Sequence, residues 1–449
     1  MKHLFSRLSP AQKIILSFLL VIFCGSLLLS LPWVQTASSQ AGYLDHLFTA
    51  VSMVCVTGLF TRSVVDTYNV WGQLLCMLLI QIGGLGILTF IGFFTMESRK
   101  KLSLKDRRIL RDSFSYGHNR TLGQFVRSIF ITTFSIEGLG ALLLMIRFIP
   151  KFGLRKGIFN SIFLAVSAFC NAGFDNFGND SILGFQTDVL VNITLALLII
   201  TGGLGFMVWF DLATKLGGKQ KGLHFHTKVV LLLTAGLLVF GTVTSLWTEY
   251  NNPGTIGNLS FGDKLLVSFF QTVSMRTAGF ASIDYTAARP VTLFIYLLQM
   301  FLGGAPGGTA GGLKITTFLV LLLFARKEIL GLPHTNMGRR TLSPQLVQKA
   351  FGVTVIFQLT FLLGLLALGL VTDSSHRFIY LIFETVSALA TVGVTANITT
   401  SLNTAGMIVI MLLMFIGRVG PLTLMVSLNH YQPKKAATLH YSKADIMIG

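Results

Sequence analysis

Long apolar runs alternate with polar connectors along the whole chain. Each run can supply the about 20 residues that a helix needs to cross a bilayer. The first run is longer than the about 7–15 residues of a signal-peptide core, so we interpret it as a retained helix. The pattern predicts an all-α integral membrane protein with eight transmembrane helices. The runs fall near residues 12–34, 69–96, 122–149, 184–210, 227–248, 290–325, 348–371 and 404–428.

The connectors after the odd-numbered runs share one pattern. They read FTAVSMVCVTGLF (48–60), FLAVSAFCNAGFD (163–175), FQTVSMRTAGFA (270–281) and FETVSALATVGVT (383–395). All four begin with Phe, continue with Val-Ser, and reach a glycine after ten, ten, nine and ten residues. Four matches at corresponding places predict four tandem repeats. We place these at 1–97, 122–214, 225–326 and 345–428, followed by a cytoplasmic tail at 429–449.

Each connector starts with an apolar segment of about ten residues, such as Asp45–Val54. As a helix such a segment spans about 15 Å, half of the about 30 Å core of a bilayer. Asp45 can cap the first segment, and Ser374 or Ser375 the last. The chain must then return through non-helical backbone, which is tolerated at membrane depth only inside protein or along a water-filled cavity. The sequence therefore predicts helix–pore helix/filter loop–helix repeats around one central pore.

Four such loops around one axis can form a selectivity filter. Rings of backbone carbonyl oxygens replace the hydration shell of a monovalent cation, and glycine adopts the positive φ angles that such a backbone needs. We interpret the Phe and Val-Ser positions as packing and capping residues rather than ion ligands. The candidate ion-binding residues are Val56, Thr57, Gly58, Leu59, Asn171, Ala172, Gly173, Phe174, Thr277, Ala278, Gly279, Phe280, Thr391, Val392, Gly393 and Val394.

Composition and charge agree with a membrane protein. Of the 449 residues, 52% are apolar and 12% are charged, and the mean hydropathy is +0.71. The net charge of +18 would suggest nucleic acid in a soluble protein. Here most basic residues lie in connectors on one side, so the positive-inside rule places both termini in the cytoplasm. A basic cluster of Arg147, Lys151, Arg155 and Lys156 lies on the other side and has no explanation from the sequence.

Ten of the seventeen acidic residues map to the side opposite the basic connectors. Two interpretations remain open for them: a surface that concentrates cations, or ordinary solvation. Glu137, inside the third run, is either a structural partner or a buried neutral acid. The predicted outer acids are Asp45, Asp66, Asp175, Asp180, Asp188, Glu249, Asp263, Asp284, Asp373 and Glu384.

A second glycine theme recurs at the inner ends of the even-numbered runs. It reads GGLGILT (83–89), GGLGFMV (202–208), GGAPGGTAGGLKITT (303–317) and GRVGPLT (417–423). A phosphate loop needs GxxxxGK[ST] after a strand, which the third stretch lacks. Because inserted glycines and a proline expand only that stretch, we predict that one helix of four is broken into a gating loop beneath the filter. The candidate gate residues are Gly303, Gly304, Pro306, Gly307, Gly308, Thr309, Gly311, Gly312, Lys314 and Arg418.

These motifs resemble the Trk/Ktr/HKT superfamily of cation transporters, and most closely its KtrB-type potassium-translocating subunits. The resemblance rests on VTGL, NAGF, RTAGF and TVGV in the four connectors, on the opening stretch and on the last run. It implies potassium uptake across a bacterial plasma membrane, with Gly58 at the position where some sodium-favouring relatives carry serine. It also implies that Arg418 helps to close the pore. The implied partners are a second copy in a homodimer and a cytoplasmic KtrA/KtrC-type nucleotide-binding ring, for which the basic segment 99–120 is a candidate docking or lipid surface.

Three other functions compete with potassium uptake. A sodium-permeable or sodium-dependent transporter of the same fold is the nearest alternative. A secondary transporter of an organic solute is disfavoured, since such folds often use inverted repeats and these repeats are parallel. An enzyme is disfavoured by the lack of a catalytic triad or HExxH motif. The chain also lacks CxxC pairs and zinc-ligand spacing; we therefore expect no cofactor, no transition-metal site and no nucleic-acid partner.

Overall fold

The computed structural model describes residues 10–86, 122–178, 181–218, 220–372 and 377–420. Most of these residues are helical, and a short hairpin of β1 (Asn336–Met337) and β2 (Arg340–Thr341) is also present. In chain order the helices are α1 (Pro10–Leu29), α2 (Tyr43–Val54), α3 (Val64–Thr67), α4 (Val70–Leu85), α5 (Leu122–Phe152), α6 (Leu154–Phe169), α7 (Val189–Gly203), α8 (Phe206–Leu216), α9 (Phe225–Glu249), α10 (Phe261–Ser274), α11 (Pro290–Phe301), α12 (Ile315–Ile329), α13 (Pro344–Val371), α14 (Phe378–Leu389) and α15 (Thr404–Val419).

Four helices, α1, α5, α9 and α13, are long and apolar enough to cross a membrane by length and composition. The pair α7 and α8 is apolar enough together but is bent by 97° at its break. Helices α4, α11, α14 and α15 are apolar but shorter. The prediction of a mainly helical membrane architecture is confirmed. The count of eight spans stays a prediction.

The apolar segments that open the four connectors form the helices α2, α6, α10 and α14. At the start of α2, the backbone N–H of Gly42 donates to Asp45 Oδ2 at 3.0 Å, as expected for an acid in the first turn. The predicted caps Ser374 and Ser375 of α14 lie outside the described residues. The residue before α14 is Arg377, and its side chain makes no capping bond. We call α2, α6, α10 and α14 the half-helices.

The helices that follow the half-helices begin at recognisable caps. Asn69 Oδ1 accepts from the backbone N–H of Trp71 at 2.9 Å, and Asp188 Oδ1 accepts from that of Val191 at 3.1 Å. Asn403 caps α15 in the same way, through the N–H of Gly406 at 2.8 Å. Helix α11 instead begins with Pro290, whose fixed φ suits the first helical position. The chain thus fixes the starting point of each of these helices locally.

Their inner ends correct one prediction. We expected only the third of these helices to be broken. Helices α4 and α15 end one residue before a glycine, and α7 ends two residues before one. These three glycines share one conformation: Gly86 (φ 83°, ψ 133°), Gly205 (φ 89°, ψ 141°) and Gly420 (φ 90°, ψ 127°). Side chains rarely tolerate this positive φ, so glycine sets the break. The third stretch is unusual in the length of its insertion, not in being broken.

Contacts between the helices run in a closed cycle. Helix α4 packs on α6, α7 on α10, α11 on α14, and α15 returns to pack on α2. Phe48, Phe163, Phe270 and Phe383, one from each half-helix, are at most 1% exposed. Their predicted role in packing is therefore confirmed. The cycle places the C-terminal ends of all four half-helices around one centre.

Candidate functional site

The backbone after each half-helix adopts the same unusual conformation. Each of the four glycines has positive φ: Gly58 (103°), Gly173 (68°), Gly279 (84°) and Gly393 (98°). Two residues before each glycine, a non-glycine residue also has positive φ. This conformation is strained and persists only where the surrounding structure stabilises it. Because the same strained conformation recurs at four corresponding positions, we infer that this backbone shape has a function. The four non-glycine residues are Val56 (57°), Asn171 (57°), Thr277 (69°) and Thr391 (52°).

The four glycines contact one another in a ring. A Cβ added to Gly58 would lie 2.8 Å from the carbonyl oxygen of Ala172, and one added to Gly173 would lie 2.8 Å from that of Ala278. A Cβ added to Gly279 would lie 2.6 Å from the carbonyl oxygen of Val392. On Gly393 it meets the carbonyl oxygen of Thr57, which closes the circle.

Four carbonyl oxygens, each from the residue before a glycine, therefore each lie against the glycine of a neighbouring segment of the ring. Their own amide groups point the other way. The N–H of Thr57 donates to the carbonyl of Ser52 at 2.8 Å, and the N–H of Ala172 to that of Ser167 at 2.8 Å. The corresponding bonds are Ala278 to Ser274 at 2.9 Å and Val392 to Ser387 at 2.8 Å. Holding the N–H outward leaves the carbonyl side for the centre.

The serine side chains hold the same strands a second time, a role that the sequence reasoning missed. Ser52 Oγ accepts from the N–H of Gly58 at 3.1 Å, and Ser387 Oγ accepts from that of Gly393 at 3.0 Å. Ser167 Oγ accepts from Phe174 at 3.0 Å. In the third unit, which is one residue shorter, Ser274 Oγ donates to the carbonyl of Phe280 at 2.5 Å. The signal was the Val-Ser pair in all four connectors; we call these the anchor serines.

A further set of polar pairs ties the outgoing end of each strand to its half-helix. Two pairs involve an acid: Thr61 Oγ1 donates to Asp45 Oδ1 at 2.6 Å, and Thr395 Oγ1 donates to Glu384 Oε2 at 2.6 Å. The other two use amides, Asn176 with Asn160 at 2.7 Å and Gln271 with Ser282 at 2.7 Å. No sequence motif relates these pairs, because their spacings and residue types differ.

Some of the predicted outer acids are buried, which corrects their interpretation as a solvated or cation-attracting surface. Glu384 is 0% exposed, and besides Thr395 it accepts from Thr399. Glu249 is 1% exposed and accepts from the N–H of Arg289 at 2.9 Å. Asp175 is also buried. These carboxylates act as hydrogen-bond acceptors inside the fold, while the predicted acids Asp180 and Asp373 lie outside the described residues.

Two threonines of the ring carry polar atoms without partners. Within the described residues, Thr57 Oγ1 and Thr391 Oγ1 are buried and make no hydrogen bond. Unpaired buried oxygen atoms are rare in native proteins and need an explanation. A Cβ added to Gly311 would overlap Thr391 Oγ1, so this oxygen faces the glycine-rich stretch between α11 and α12.

The glycine-rich stretch between α11 and α12 forms a loop that is closed at its base. The N–H of Gly303 donates to the carbonyl of Leu313 at 3.0 Å, and the N–H of Leu313 donates to that of Phe301 at 3.2 Å. An added Cβ on Gly303 would overlap the carbonyl oxygen of Gly311. This close backbone approach explains why glycine is required on both sides of the base.

The loop lies against the inner ends of the half-helices. The N–H of Gly311 donates to Thr277 Oγ1 at 3.0 Å, so the loop touches the third ring segment directly. Thr309 Oγ1 donates to the carbonyl of Phe169, at the end of α6, at 3.1 Å. On its other side, the carbonyl of Gly307 accepts from the N–H of Phe206, the first residue of α8, at 3.0 Å.

Two cationic side chains pin the loop. Arg418 Nη1 donates to the carbonyl of Thr309 at 2.5 Å, and its Nη2 donates to the carbonyls of Gly83 and, at 3.2 Å, Gly84. Lys314 Nζ donates to the carbonyl of Ala310 at 2.6 Å. No carboxylate among the described residues lies within ion-pair distance of either cation. Within the described residues, both positive charges are thus held only by backbone carbonyls of the loop and of the end of α4. Next to them is a cavity of about 340 Å³, lined in part by Gly86, Lys314 and Arg418.

Glu137 has a polar partner. Its Oε2 accepts from Gln81 Nε2 at 3.3 Å, and Cys170 Sγ lies 4.0 Å from its Oε1. Glu137 is also 5% exposed. Its hydrogen bond fits a structural partner and its burial fits a neutral acid, so both interpretations stay open. In the part of the chain that the structure describes, no group of three His, Cys, Asp or Glu side chains is placed to hold a metal.

The described surface is rich in exposed apolar side chains. Phe23 is 58% exposed, Leu142 62% and Leu363 66%, on three different long helices. Such a surface belongs in lipid. Together with the cyclic half-helices and the convergent carbonyls, it defines a membrane transport protein.

The chain belongs to the TrkH family of cation transport proteins, which matches residues 7–438. It is 38% identical over 446 residues to the Ktr system potassium uptake protein B of Bacillus subtilis (strain 168), covering 99% of this chain and 97% of that protein. It is 38% identical over 453 residues to the potassium/sodium uptake protein NtpJ of Enterococcus hirae, covering 100% and 99%. The crystal structure of the potassium transporter TrkH from Vibrio parahaemolyticus has a similar fold, with a TM-score of 0.73 at 17% identity, over 93% of this chain and 84% of that one.

Proposed function

We propose that this chain is the translocating subunit of a potassium uptake system and conducts K⁺ through the ring. The observation that carries the proposal is the closed circle of contacts among Gly58, Gly173, Gly279 and Gly393. Carbonyl oxygens at such a ring can replace the hydration shell of K⁺. The half-helices point their partial negative C-terminal ends toward it, which favours a cation. The names of two relatives as potassium uptake proteins support K⁺ as the ion.

The filter assignment is tested by Gly58→Ser in a potassium-uptake-deficient bacterium. A side chain here meets both a positive φ and the carbonyl of Ala172. We expect the K⁺ concentration for half-maximal uptake to rise and the preference for K⁺ over Na⁺ to fall. Gly138→Ser is the matched control, since nothing lies within 4 Å of a Cβ added to Gly138. Equal K⁺ affinity in all three proteins, at equal amounts in the membrane, would refute the filter.

The loop of residues 303–314 and Arg418 are proposed as the gate of this pathway. The loop touches the ring at Thr277. Lys314 and Arg418, which have no carboxylate partner among the described residues, would oppose the passage of K⁺ beside it. Deletion of residues 307–312 should therefore raise basal cation flux in proteoliposomes. An unchanged flux, or a loss of flux from a protein that still elutes as a folded species, contradicts the gate.

The architecture proposed around the pore consists of four helix–pore helix–helix repeats, at 1–97, 122–214, 225–326 and 345–428, with eight spans and both termini in the cytoplasm. The closed packing cycle supports four equivalent units. A homodimer and a cytoplasmic KtrA/KtrC-type ring are the proposed partners. Relatives named as proteins B and D of a Ktr system support a multi-subunit assembly. The candidate docking segment 99–120 lies outside the described residues.

A sodium-permeable transporter of the same fold is the second candidate. It is favoured by the relative that is named a potassium/sodium uptake protein. Uptake of Na⁺ at low external K⁺ separates the two candidates. K⁺-selective flux requires that Na⁺ uptake stay at the level of cells without the protein.

A further inference from the structure

A cavity of about 750 Å³ opens beside the start of α6, at the end of the molecule where the half-helices begin. Its rim carries Lys151, Arg155 and Lys156, all exposed. Its wall is aromatic and includes Phe152, Phe159 and Phe185. These three basic residues belong to the cluster that the sequence analysis left without an explanation.

The charges of this cluster are unbalanced. Arg147 is paired with Asp188 at 3.2 Å, but within the described residues no carboxylate lies within ion-pair distance of Lys151, Arg155 or Lys156. Lys151 Nζ instead lies 3.8 Å from the centre of the Phe185 ring. Three positive charges around one opening favour the binding of an anion there.

The helix that starts here adds to the positive potential. Half-helices α2 and α10 carry Asp45 and Asp263 in their first turns, which suit the positive end of a helix. Half-helix α6 has Arg155 and Lys156 there instead, and the residue before it, Gly153, offers no side-chain cap. The free N–H groups of this turn and the two side chains therefore favour the same negatively charged group.

A buried polar atom in the cavity indicates what else the ligand carries. Asn176 lines the cavity, is 7% exposed, and its Oδ1 has no hydrogen-bond partner. Its Nδ2 is held by Asn160 at 2.7 Å, which orients Oδ1 as a free acceptor. An acceptor needs a donor, and the oxygen atoms of a phosphate diester have none. A hydroxyl group beside the phosphate supplies it.

The surroundings point to lipid as the source of the phosphate. Val70, which lines the cavity, is 57% exposed, and the adjacent Trp71 is 64% exposed. Leu154, at the start of α6, is 65% exposed. An exposed Trp next to exposed apolar side chains is typical of the membrane–water interface. The cavity is therefore within reach of a lipid headgroup whose acyl chains lie along α4 and α6.

We propose that this cavity binds the headgroup of an anionic glycerophospholipid of the phosphatidylglycerol type. Its phosphate contacts Arg155, Lys156 and the first turn of α6, with Lys151 on the opposite rim. Its terminal glycerol hydroxyl donates to Asn176 Oδ1. Because Asn176 also ties the second filter strand to α6, an occupied site would stabilise that part of the ring.

The experiment uses the full-length protein in nanodiscs of phosphatidylcholine with a minor fraction of phosphatidylglycerol, and measures retained lipid by native mass spectrometry. The test variant combines Lys151→Gln, Arg155→Gln and Lys156→Gln. The matched control combines Arg62→Gln, Arg289→Gln and Arg377→Gln, three exposed basic residues at the same end of the molecule. We expect wild type and control to retain phosphatidylglycerol, and the test variant to bind it at least about fivefold and up to about a hundredfold more weakly. Equal retention in test variant and control overturns the site.

Two further arms identify the ligand. Inorganic phosphate should fail to displace the lipid; displacement at millimolar phosphate overturns the lipid assignment in favour of a free anion. Asn176→Ala should bring the affinity for phosphatidylglycerol down to that for phosphatidic acid, which has no glycerol hydroxyl. An undiminished preference for phosphatidylglycerol in that variant contradicts the role of Asn176.

Discussion

At the residue scale, the anchor serines do as much for the ring as the glycines do. Glycine permits the backbone to turn, but it does not decide where the carbonyls point. In three of the four units, the serine carbonyl and hydroxyl both accept from N–H groups of the strand, as at Ser387 with Val392 and Gly393. The carbonyls are thereby left on the inner side. In the proposed filter, a strand held at both groups would be pre-organised to replace the hydration water of the ion.

Ser387→Ala tests this role of the hydroxyl. The substitution leaves the N–H of Gly393 buried without an acceptor, at a cost of about 1–3 kcal/mol. We expect the strand to shift and the preference for K⁺ over Na⁺ to fall at least about fivefold. Competition between K⁺ and Na⁺ in an uptake assay measures it. Ser30→Ala is the control, because the Ser30 hydroxyl bonds only within its own exposed turn; the same selectivity in both variants speaks against the anchor role.

At the element scale, the inner helix ends form a common stopping point around the loop. Gly205 separates α7 from α8, and a Cβ added to it would lie 2.7 Å from the carbonyl oxygen of Pro306. The next residue, Phe206, donates its N–H to Gly307. The loop between α11 and α12 thus packs against the break between α7 and α8. This contact joins the bend between α7 and α8 to the loop that we propose as the gate.

Gly205→Ala should weaken the contact between this break and the loop, and so raise basal K⁺ flux through the purified protein in proteoliposomes. Its added methyl group meets both a φ of +89° and the loop backbone. Gly218→Ala is a closely matched control, since Gly218 has a φ of +68° but open space around it. Backbone strain is thereby separated from contact with the loop. If both variants conduct equally, the contact between the α7–α8 break and the loop has no part in gating.

The sequence predicted the elements of this fold better than their connections. The four half-helices and their glycines follow from a local pattern that repeats four times. The end of α7 was missed because GGLG reads as continuous apolar helix, and only the φ of Gly205 reveals the bend. The burial of Glu384 was also missed, since its partners Thr395 and Thr399 come from the segment between α14 and α15, which no periodicity places. Contacts between units depend on the packing cycle, which no single segment encodes.

At the scale of the whole molecule, Arg418 joins parts of the chain that are far apart in sequence. It comes from α15, donates to the end of α4, and donates to the loop between α11 and α12. Helix α15 also packs on α2, which closes the cycle. The residue therefore links the proposed gate to the helix that closes the packing cycle. Two mechanisms follow: Arg418 fastens the loop, or its charge alone opposes cations.

A double-variant cycle distinguishes these two mechanisms. Arg418→Gln removes hydrogen bonds from a charged group, worth about 1.5–3 kcal/mol, so basal flux should rise by roughly tenfold to a hundredfold. Deletion of residues 307–312 removes Thr309, its partner on the loop. If Arg418 acts by fastening the loop, the combined variant conducts no more than the deletion alone, because the two changes break the same contact. Additive effects on the logarithm of the flux would show instead that the charge acts independently. Arg326→Gln, at the exposed end of α12, controls for the loss of one positive charge.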